Sequence, residues 1–263
     1  MREVSQPDPE AVQQVAGWLA GARRVLFITG AGLSADSGLP TYRGVGGLYN
    51  DAETEEGYAI EDALSGWMFA KRPELVWRHI LTIEEACRGK TFNAGHAAIA
   101  ALEAQADKEV TVLTQNVDGF HRKAGSENVI DIHGDVHALY CAARCGWSER
   151  VQDYRHLGDA LPPRCPACGE VIRPDVVLFG EMLPEAKLAR LQAELEAGPE
   201  LIFSVGTSSL FPYIAQPVLL AKRLGARAVE INPGRTQVSG AVDLRMRSGA
   251  AATLEAIVAA LPG

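Results

Sequence analysis

The 263-residue chain has no unbroken apolar run near the roughly 20 residues that a membrane-spanning helix needs. It has no basic excess either: 25 Lys and Arg face 33 Asp and Glu, for a formal charge of −8. That balance argues against a nucleic-acid binder, whose phosphate contacts need a positive face. An acidic surface attracts basic peptides instead. The opening residues MREVSQPDPE are polar and acidic, unlike a secretory signal, so the expected location is the cytoplasm. Cysteine is scarce and unevenly spread. Cys141, Cys145, Cys165 and Cys168 fall within 28 residues, and Cys87 stands apart. Without an export signal, that clustering favours metal ligation over disulfides. No internal repeat or low-complexity tract is present.

What the chain does have is hydrophobic content, 47%, enough for a sizeable core. Asp8 can cap a helix that starts with Pro9 and runs to about Ala20, burying Val12, Val15 and Leu19. RRVLFIT then reads as a buried strand. Further strands are expected at Val110–Asn116, Asn128–Gly134, Leu201–Ser208 and Arg227–Gly234. Helices are expected at Ala94–Gln105, Pro184–Ala197, Tyr213–Leu224 and Ala250–Leu261. The alternation implies an α/β fold: a Rossmann-like, mostly parallel sheet with helices on both faces.

Two stretches break the alternation. One is the mixed segment after Pro40, which carries an acidic run and then a tryptophan-containing helical part. The other holds the four cysteines and has little apolar periodicity. The expected division is a nucleotide-binding domain from 1–40, 91–134 and 175–263. A smaller lobe would combine a helical insert, 41–90, with a four-cysteine zinc module, 135–174.

The glycine turn after the first strand places Gly30, Gly32 and Ala35 in a G-x-G-x-x-A pattern. In a dinucleotide site the first glycine allows the turn. The second admits the pyrophosphate, and the third position lets the helix pack on the sheet. A dehydrogenase would follow with a second strand ending in an acidic residue about 20 positions on. That strand is missing here. The chain runs instead into a loop with Pro40 and Arg43. Asn232, at the end of AVEIN, is the better candidate for an adenosine ribose contact.

Other strands end in polar groups that could reach one crevice, because ligands of open α/β sheets bind outside the carboxyl ends of strands. LTQNVDGFH supplies Gln115, Asn116 and Asp118, and IDIHGDVH supplies His133. An imidazole there can take a proton from a hydroxyl near neutral pH. A satisfied loop histidine is the plainer reading of His133 alone, as it is for His96, His121 and His137. The spacing Cys141-x3-Cys145, nineteen residues, Cys165-x2-Cys168 suits two knuckles that close a tetrahedral zinc. Four thiolates leave no open position, so such a zinc is structural.

Together these motifs resemble the sirtuin family of NAD-dependent protein deacylases. The matching stretches are GAGLSADSGLPTYRG, TQNVDGFHRKAG, IHGDVHALYC, the paired cysteines, RPDVVLFGE, VGTSSLFP and EINPG, in family order. The resemblance implies that NAD is consumed as a co-substrate. Ala31, Gly32 and Ser34 would then hold its diphosphate, with Tyr42 and Arg43 closing over it. Gln115 and Asn116 would contact the nicotinamide ribose, and Asp118 the nicotinamide amide. Gly206, Thr207, Ser208 and Asn232 would contact phosphate and the adenosine ribose. Val177, Phe179 and Gly180 would line an acyl-lysine tunnel and pair with the peptide as an added strand. Ser209, Leu210 and Phe211 would form the tunnel's other wall. His133 would act as general base, with Asn116 positioning the reacting sugar.

Some residues depart from the family pattern. Three residues separate the first cysteine pair where two are common, and Tyr42 stands where phenylalanine is usual. Members that remove succinyl or malonyl groups carry a Tyr-x-x-Arg pair after a segment like RPELVW. The matching positions here are Ile80 and Ile83, which cannot pair with a carboxylate. An apolar acyl group, acetyl or longer, is therefore expected. The alternatives are an NAD glycohydrolase or ADP-ribosyltransferase on the same scaffold, or a non-catalytic NAD sensor. The first two have no need of a peptide cleft, and the sensor has no need of His133.

Overall fold

A computed structural model of the chain describes residues 6–41, 57–158 and 160–262. Helix α1 (Pro9–Gly21) begins as expected, with the Asp8 side chain accepting from the Glu10 N–H and proline at the first turn. Strand β1 (Arg24–Thr29) follows and leads through Gly30 into the short α2 (Ala31–Ala35). Next come α3 (Ile60–Ala63), α4 (Gly66–Lys71), α5 (Pro73–Cys87) and α6 (Ala94–Glu103). After β2 (Glu109–Thr114), α7 (Phe120–Lys123) and β3 (Val129–Asp131), the chain enters β4 (Gly134–Cys141), β5 (Ser148–Arg150) and β6 (Ile172–Val176). The remainder is α8 (Glu185–Ala197), β7 (Leu201–Val205), α9 (Pro212–Arg223), β8 (Arg227–Ile231), β9 (Leu244–Met246) and α10 (Ala250–Ala259).

Six strands form one parallel sheet in the order β3-β2-β1-β7-β8-β9. Its strands alternate between two cores, as the twofold side-chain period requires. Val25 and Phe27 of β1 join Leu201, Phe203 and Val205 of β7 in a core under α1, α6 and α10. Leu26 and Ile28 join Ile202 and Ala228 in the core under α8 and α9. The Phe27 and Phe203 rings stack at 4.6 Å across the central strand pair. Of the five expected strands, β1 ends at Thr29 as expected and the other four stop two or three residues early. β9, three residues long, went unforeseen.

The sheet reverses direction of build between β1 and β7, and the two following turns press together there. The Gly32 N–H donates to the Gly206 carbonyl at 2.8 Å. A Cβ on Gly206, whose φ is +59°, would lie 2.4 Å from the Leu33 nitrogen; one on Gly32 would lie 2.7 Å from the Gly206 Cα. Gly32 thus serves backbone-to-backbone packing at this turn.

A second sheet, β5-β4-β6, is antiparallel. It shares a third core with the helical segment: Leu75, Trp77 and Ile80 of α5 pack with Val136, Leu139, Tyr154 and Ile172. The Trp77 indole N–H donates to the Ile172 carbonyl at 2.8 Å, and the Tyr154 hydroxyl to the Val136 carbonyl.

Four sulfurs close the outer end of this lobe. Cys141, Cys145, Cys165 and Cys168 place their Sγ atoms within 4.8 Å of one another. Cys141 and Cys168 lie 3.4 Å apart, and Cys145 and Cys165 3.6 Å apart. A disulfide needs about 2.05 Å. Tetrahedral zinc with Zn–S bonds of about 2.3 Å needs sulfur separations of about 3.8 Å. The four cysteines fit that ion. The wider first pair is accommodated by Arg144, which turns at φ +55° and lays its guanidinium over the Tyr140 ring at 4.0 Å.

Gly206→Ala should cost about 3 kcal/mol of stability, since it adds a clash to a left-handed backbone; urea unfolding reads this as a lowered midpoint with unchanged slope. Elemental analysis of the purified protein should find one zinc per chain. Cys165→Ser should lose the metal and, in amide exchange, expose the β4–β6 amides while β1, β2 and β7 stay protected.

Candidate active site

The site lies outside the carboxyl ends of β1, β2, β3, β7 and β8. The floor is a set of buried polar groups held by one another. The Asn116 amide donates to the Gly30 carbonyl at 3.1 Å and to Ser34 Oγ at 3.0 Å. Ser34 Oγ in turn donates to Asp118 Oδ2 at 2.7 Å, and the Phe120 N–H caps Asp118 Oδ1 at 2.9 Å. Burial pushes the Asp118 carboxyl above the usual carboxylate range, against the opposing hydrogen bonds from Phe120 and Ser34. Each group satisfies the next, as buried polar groups must.

Thr207 ties the second half of the sheet to this floor. Its Oγ1 accepts from the Gln115 amide at 2.7 Å and from the Ser209 N–H at 3.1 Å. Its carbonyl accepts from the Asn232 amide at 3.0 Å. Asn232 is itself held by the Gly234 N–H, 3.0 Å from its Oδ1. The fully buried Glu230 steadies that turn by accepting from Ser239, Thr236 and Arg245. Ser209 sits at φ +52° and is fully buried, so the Gly206–Phe211 loop holds backbone strain of the kind concentrated at binding sites. Ser208 and Leu210 are exposed beside it.

His133 stands where the chain leaves β3 for β4. Its Nδ1 lies 2.9 Å from the Gln115 carbonyl. A carbonyl can only accept, so Nδ1 carries the proton and Nε2 keeps its lone pair. Burial lowers the imidazole's pKa, and the Lys187 ammonium lowers it further, opposed by the Gln115 hydrogen bond. The ring is therefore neutral at neutral pH, the state a general base needs. Its carbonyl accepts from the Val177 N–H at 2.9 Å, and Phe211 meets the ring edge-on at 6.2 Å.

The structure thus gathers Gly30, Ser34, Gln115, Asn116, Asp118, His133, Thr207, Ser209, Phe211 and Asn232 in one connected site, with Val177 bonded to its edge. Ala31 and Gly32 lie in the same turn. Tyr42 and Arg43 lie outside the described residues. One expectation is corrected. The Phe179 backbone is not open to a peptide strand, because its N–H donates to the Leu64 carbonyl and its carbonyl accepts from the Gly66 N–H, at 2.9 and 3.0 Å. Phe179 instead belongs to the third core. Gly180, at φ +78°, turns the chain away with open space around it.

Three contributors went unforeseen. Tyr213 at the start of α9 places its hydroxyl 2.8 Å from His133 Nε2. Lys187 on α8 bonds to the Asp131 carbonyl at 2.7 Å and to its carboxylate at 3.0 Å, close enough to act on His133. Arg173 grips Glu181 with two parallel bonds of 2.8 and 2.9 Å and so shapes the 176–181 loop. Only Tyr213 left a local sign, the aromatic pair flanking proline in Phe211-Pro212-Tyr213.

The Sir2 family model matches residues 30–211. An NAD-dependent protein deacylase 2 of Pseudomonas aeruginosa is 52% identical over 89% of this chain and 91% of its own. Another NAD-dependent protein deacylase 2, of Pyrobaculum aerophilum, is 38% identical over 93% of each chain. Among solved structures, a Sir2 homolog–NAD complex aligns with TM-score 0.81 and 35% identity over 94% of this chain and 92% of that one. A Sir2 variant holding a deacetylated p53 peptide and 3′-O-acetyl ADP-ribose aligns with TM-score 0.85 and 27% identity, covering 95% and 99%. The family model spans more than half of the chain, and relatives above 30% identity cover nearly all of it: this chain belongs to the Sir2 family.

Proposed function

We propose that the protein is an NAD-dependent protein-lysine deacylase, acting foremost on acetyl-lysine. The observation that carries this reading is the neutral His133, with Nδ1 locked by the Gln115 carbonyl and Nε2 left as an acceptor beside the exchangeable Tyr213 hydroxyl. The relatives that carry the deacylase name, and the neighbours solved with NAD or with peptide and acetyl ADP-ribose, support it. The donor set fits the dinucleotide: Ser34, Gln115, Thr207, Ser208 and Asn232 offer hydroxyls and amides around one floor. When bound, NAD supplies a ribose carbon from which nicotinamide leaves, and its ADP-ribose carries the acyl group away.

The chain's own residues do the rest. Ala31 and Ser34 in the α2 turn, Gly206, Thr207 and Ser208 would hold the phosphates and the adenosine ribose, with Asn232 beside them. Asn116 and Gln115, pinned from below, would orient the nicotinamide ribose, a contribution of positioning rather than acid catalysis. Asp118 would receive the nicotinamide amide. Its raised pKa suits a carboxyl that meets an amide away from water. His133 Nε2 would take the proton from a ribose hydroxyl as that oxygen attacks the acyl carbon. Val177, Gly180, Ser209, Leu210 and Phe211 would wall the lysine tunnel. Phe179 would support that wall from the core rather than pair with the peptide. No helix among the described residues is long and apolar enough to cross a membrane, in keeping with action on cytoplasmic proteins.

His133→Ala should lower acyl removal by 10²- to 10⁴-fold, the usual size of a general-base contribution, while NAD still binds. Mass spectrometry of an acetyl-lysine peptide incubated with NAD, read for O-acetyl-ADP-ribose, checks both the reaction and the variant. A product of free ADP-ribose alone, independent of peptide, would favour the glycohydrolase reading. Ile80 is buried and Ile83 packs beside it in the third core, so neither offers a partner to a carboxylate. Succinyl-lysine should therefore show a kcat/KM roughly 10- to 100-fold below acetyl-lysine, the worth of one absent charged hydrogen-bonded pair.

A further inference from the structure

The lone pair of His133 is not open: it already has a donor. The Tyr213 hydroxyl lies 2.8 Å from Nε2. With Nδ1 donating to Gln115, Nε2 can only accept, so the phenol donates. Burial pushes the Tyr213 pKa up to about 12, which keeps the phenol protonated and able to donate. The ring is fixed from its other side by stacking on Phe211, 5.4 Å away and 11° from parallel. Both aromatics meet the imidazole edge-on, at 6.2 and 5.8 Å. Tyr213 reaches the site from the first turn of α9, directly after the strained loop that ends at Phe211. The charged group that acts on the imidazole is Lys187 of α8, itself paired with Asp131 at the end of β3.

We propose that Tyr213 is a latch on the general base: its hydroxyl occupies the Nε2 position that a substrate hydroxyl must take, and substrate binding displaces it. This rests on the deacylase reading of His133. An imidazole nitrogen has one lone pair, so the phenol and the ribose hydroxyl cannot both donate to it. The latched form is thus inactive yet pre-oriented. Tyr213 holds the ring with Nε2 toward the cleft while excluding water from it. Productive binding must break one hydrogen bond, so apparent affinity falls by the fraction of protein that is latched. Once substrate is seated, the latch is open and turnover no longer senses it.

Tyr213→Phe tests the latch, because it removes only the hydroxyl and keeps the stack on Phe211. It should lower KM about three- to tenfold at pH 8 to 9 with kcat unchanged, the worth of one released neutral hydrogen bond. The acid limb of kcat/KM should move up by roughly half a pH unit, because the neutral imidazole loses its stabilising donor. Tyr213→Ala separates this from packing: a merely structural role would be damaged by alanine and restored by phenylalanine. A Phe variant with wild-type KM and pH limb, or one with a lowered kcat, overturns the latch. A second measurement needs no activity. NMR titration of the histidine rings in the free protein, with His133 assigned from its Ala variant, should show its pKa rising in Tyr213→Phe. An unchanged value overturns the proposal. A raised value in a protein that removes no acyl group would leave the contact standing and sink the deacylase reading instead.

Discussion

The whole site depends on two backbones touching without side chains between them. Gly30 and Gly32 on one side meet Gly206 and Thr207 on the other, at the point where the sheet divides into β3-β2-β1 and β7-β8-β9. Cβ atoms there would overlap main-chain atoms, so any larger residue pushes the halves apart. The contact sets the separation between the β1 turn and the β7 loop. That separation fixes everything above it. The Gln115 amide spans from Thr29 to Thr207, and the Asn116 amide from Gly30 to Ser34. The Gln115–Thr207 bond of 2.7 Å crosses between the two halves, so its length follows their separation.

Much of this was legible from residues alone, and the limits have physical causes. The strands of the large sheet read clearly because both faces are covered, so β1 is apolar at nearly every position. The first helix was legible from Asp8 and Pro9, and the metal module from four cysteines at knuckle spacing. The small sheet was not. In β4 the first four residues are all buried, two of them charged or ionisable, so neither alternation nor an apolar run marks the strand. The glycine motif showed that a backbone must come close, but not that the β7 loop at Gly206 is one of the things it approaches. Tyr213 was missed since its partner lies 80 residues away and no local period reports such a contact.

A buried histidine pair behind the site makes a similar point about environment. His121 donates to or accepts from Thr29 Oγ1 at 2.9 Å, and the His96 ring packs edge-on against it at 4.8 Å. Burial holds both below the ordinary imidazole range, His96 at about 4. His133 shares their neutrality but differs in having one nitrogen committed to a carbonyl and the other turned to an exchangeable hydroxyl. Residue type is alike in the three; His96 and His121 are fully buried and His133 only partly so, and exposure together with a committed Nδ1 separates a base from a packed ring.

The direction of the His133 ring is fixed by the point where the two sheets join. His133 follows β3 of the large sheet, and the next residue, Gly134, begins β4 of the small one. Gly134 adopts φ +93°, and a Cβ there would fall 1.7 Å from the Asp175 carbonyl oxygen, so the chain turns at this place only by lacking a side chain. β4 then pairs with β6 from Gly134–Val176 to Cys141–Ile172, and Cys141 is the first metal-ligand candidate. The imidazole and the sulfur cluster are therefore opposite ends of one strand. β6 also ends in Val176, next to the Val177 that holds the His133 carbonyl, and the Arg173–Glu181 pair fixes the loop beyond. A metal that closes the far end of β4–β6 supports the near end through the pairing of these two strands, whose register shifts between Asp135 and Leu139. It takes no part in the chemistry, yet the aim of the base rests on the strand pairing it helps to keep.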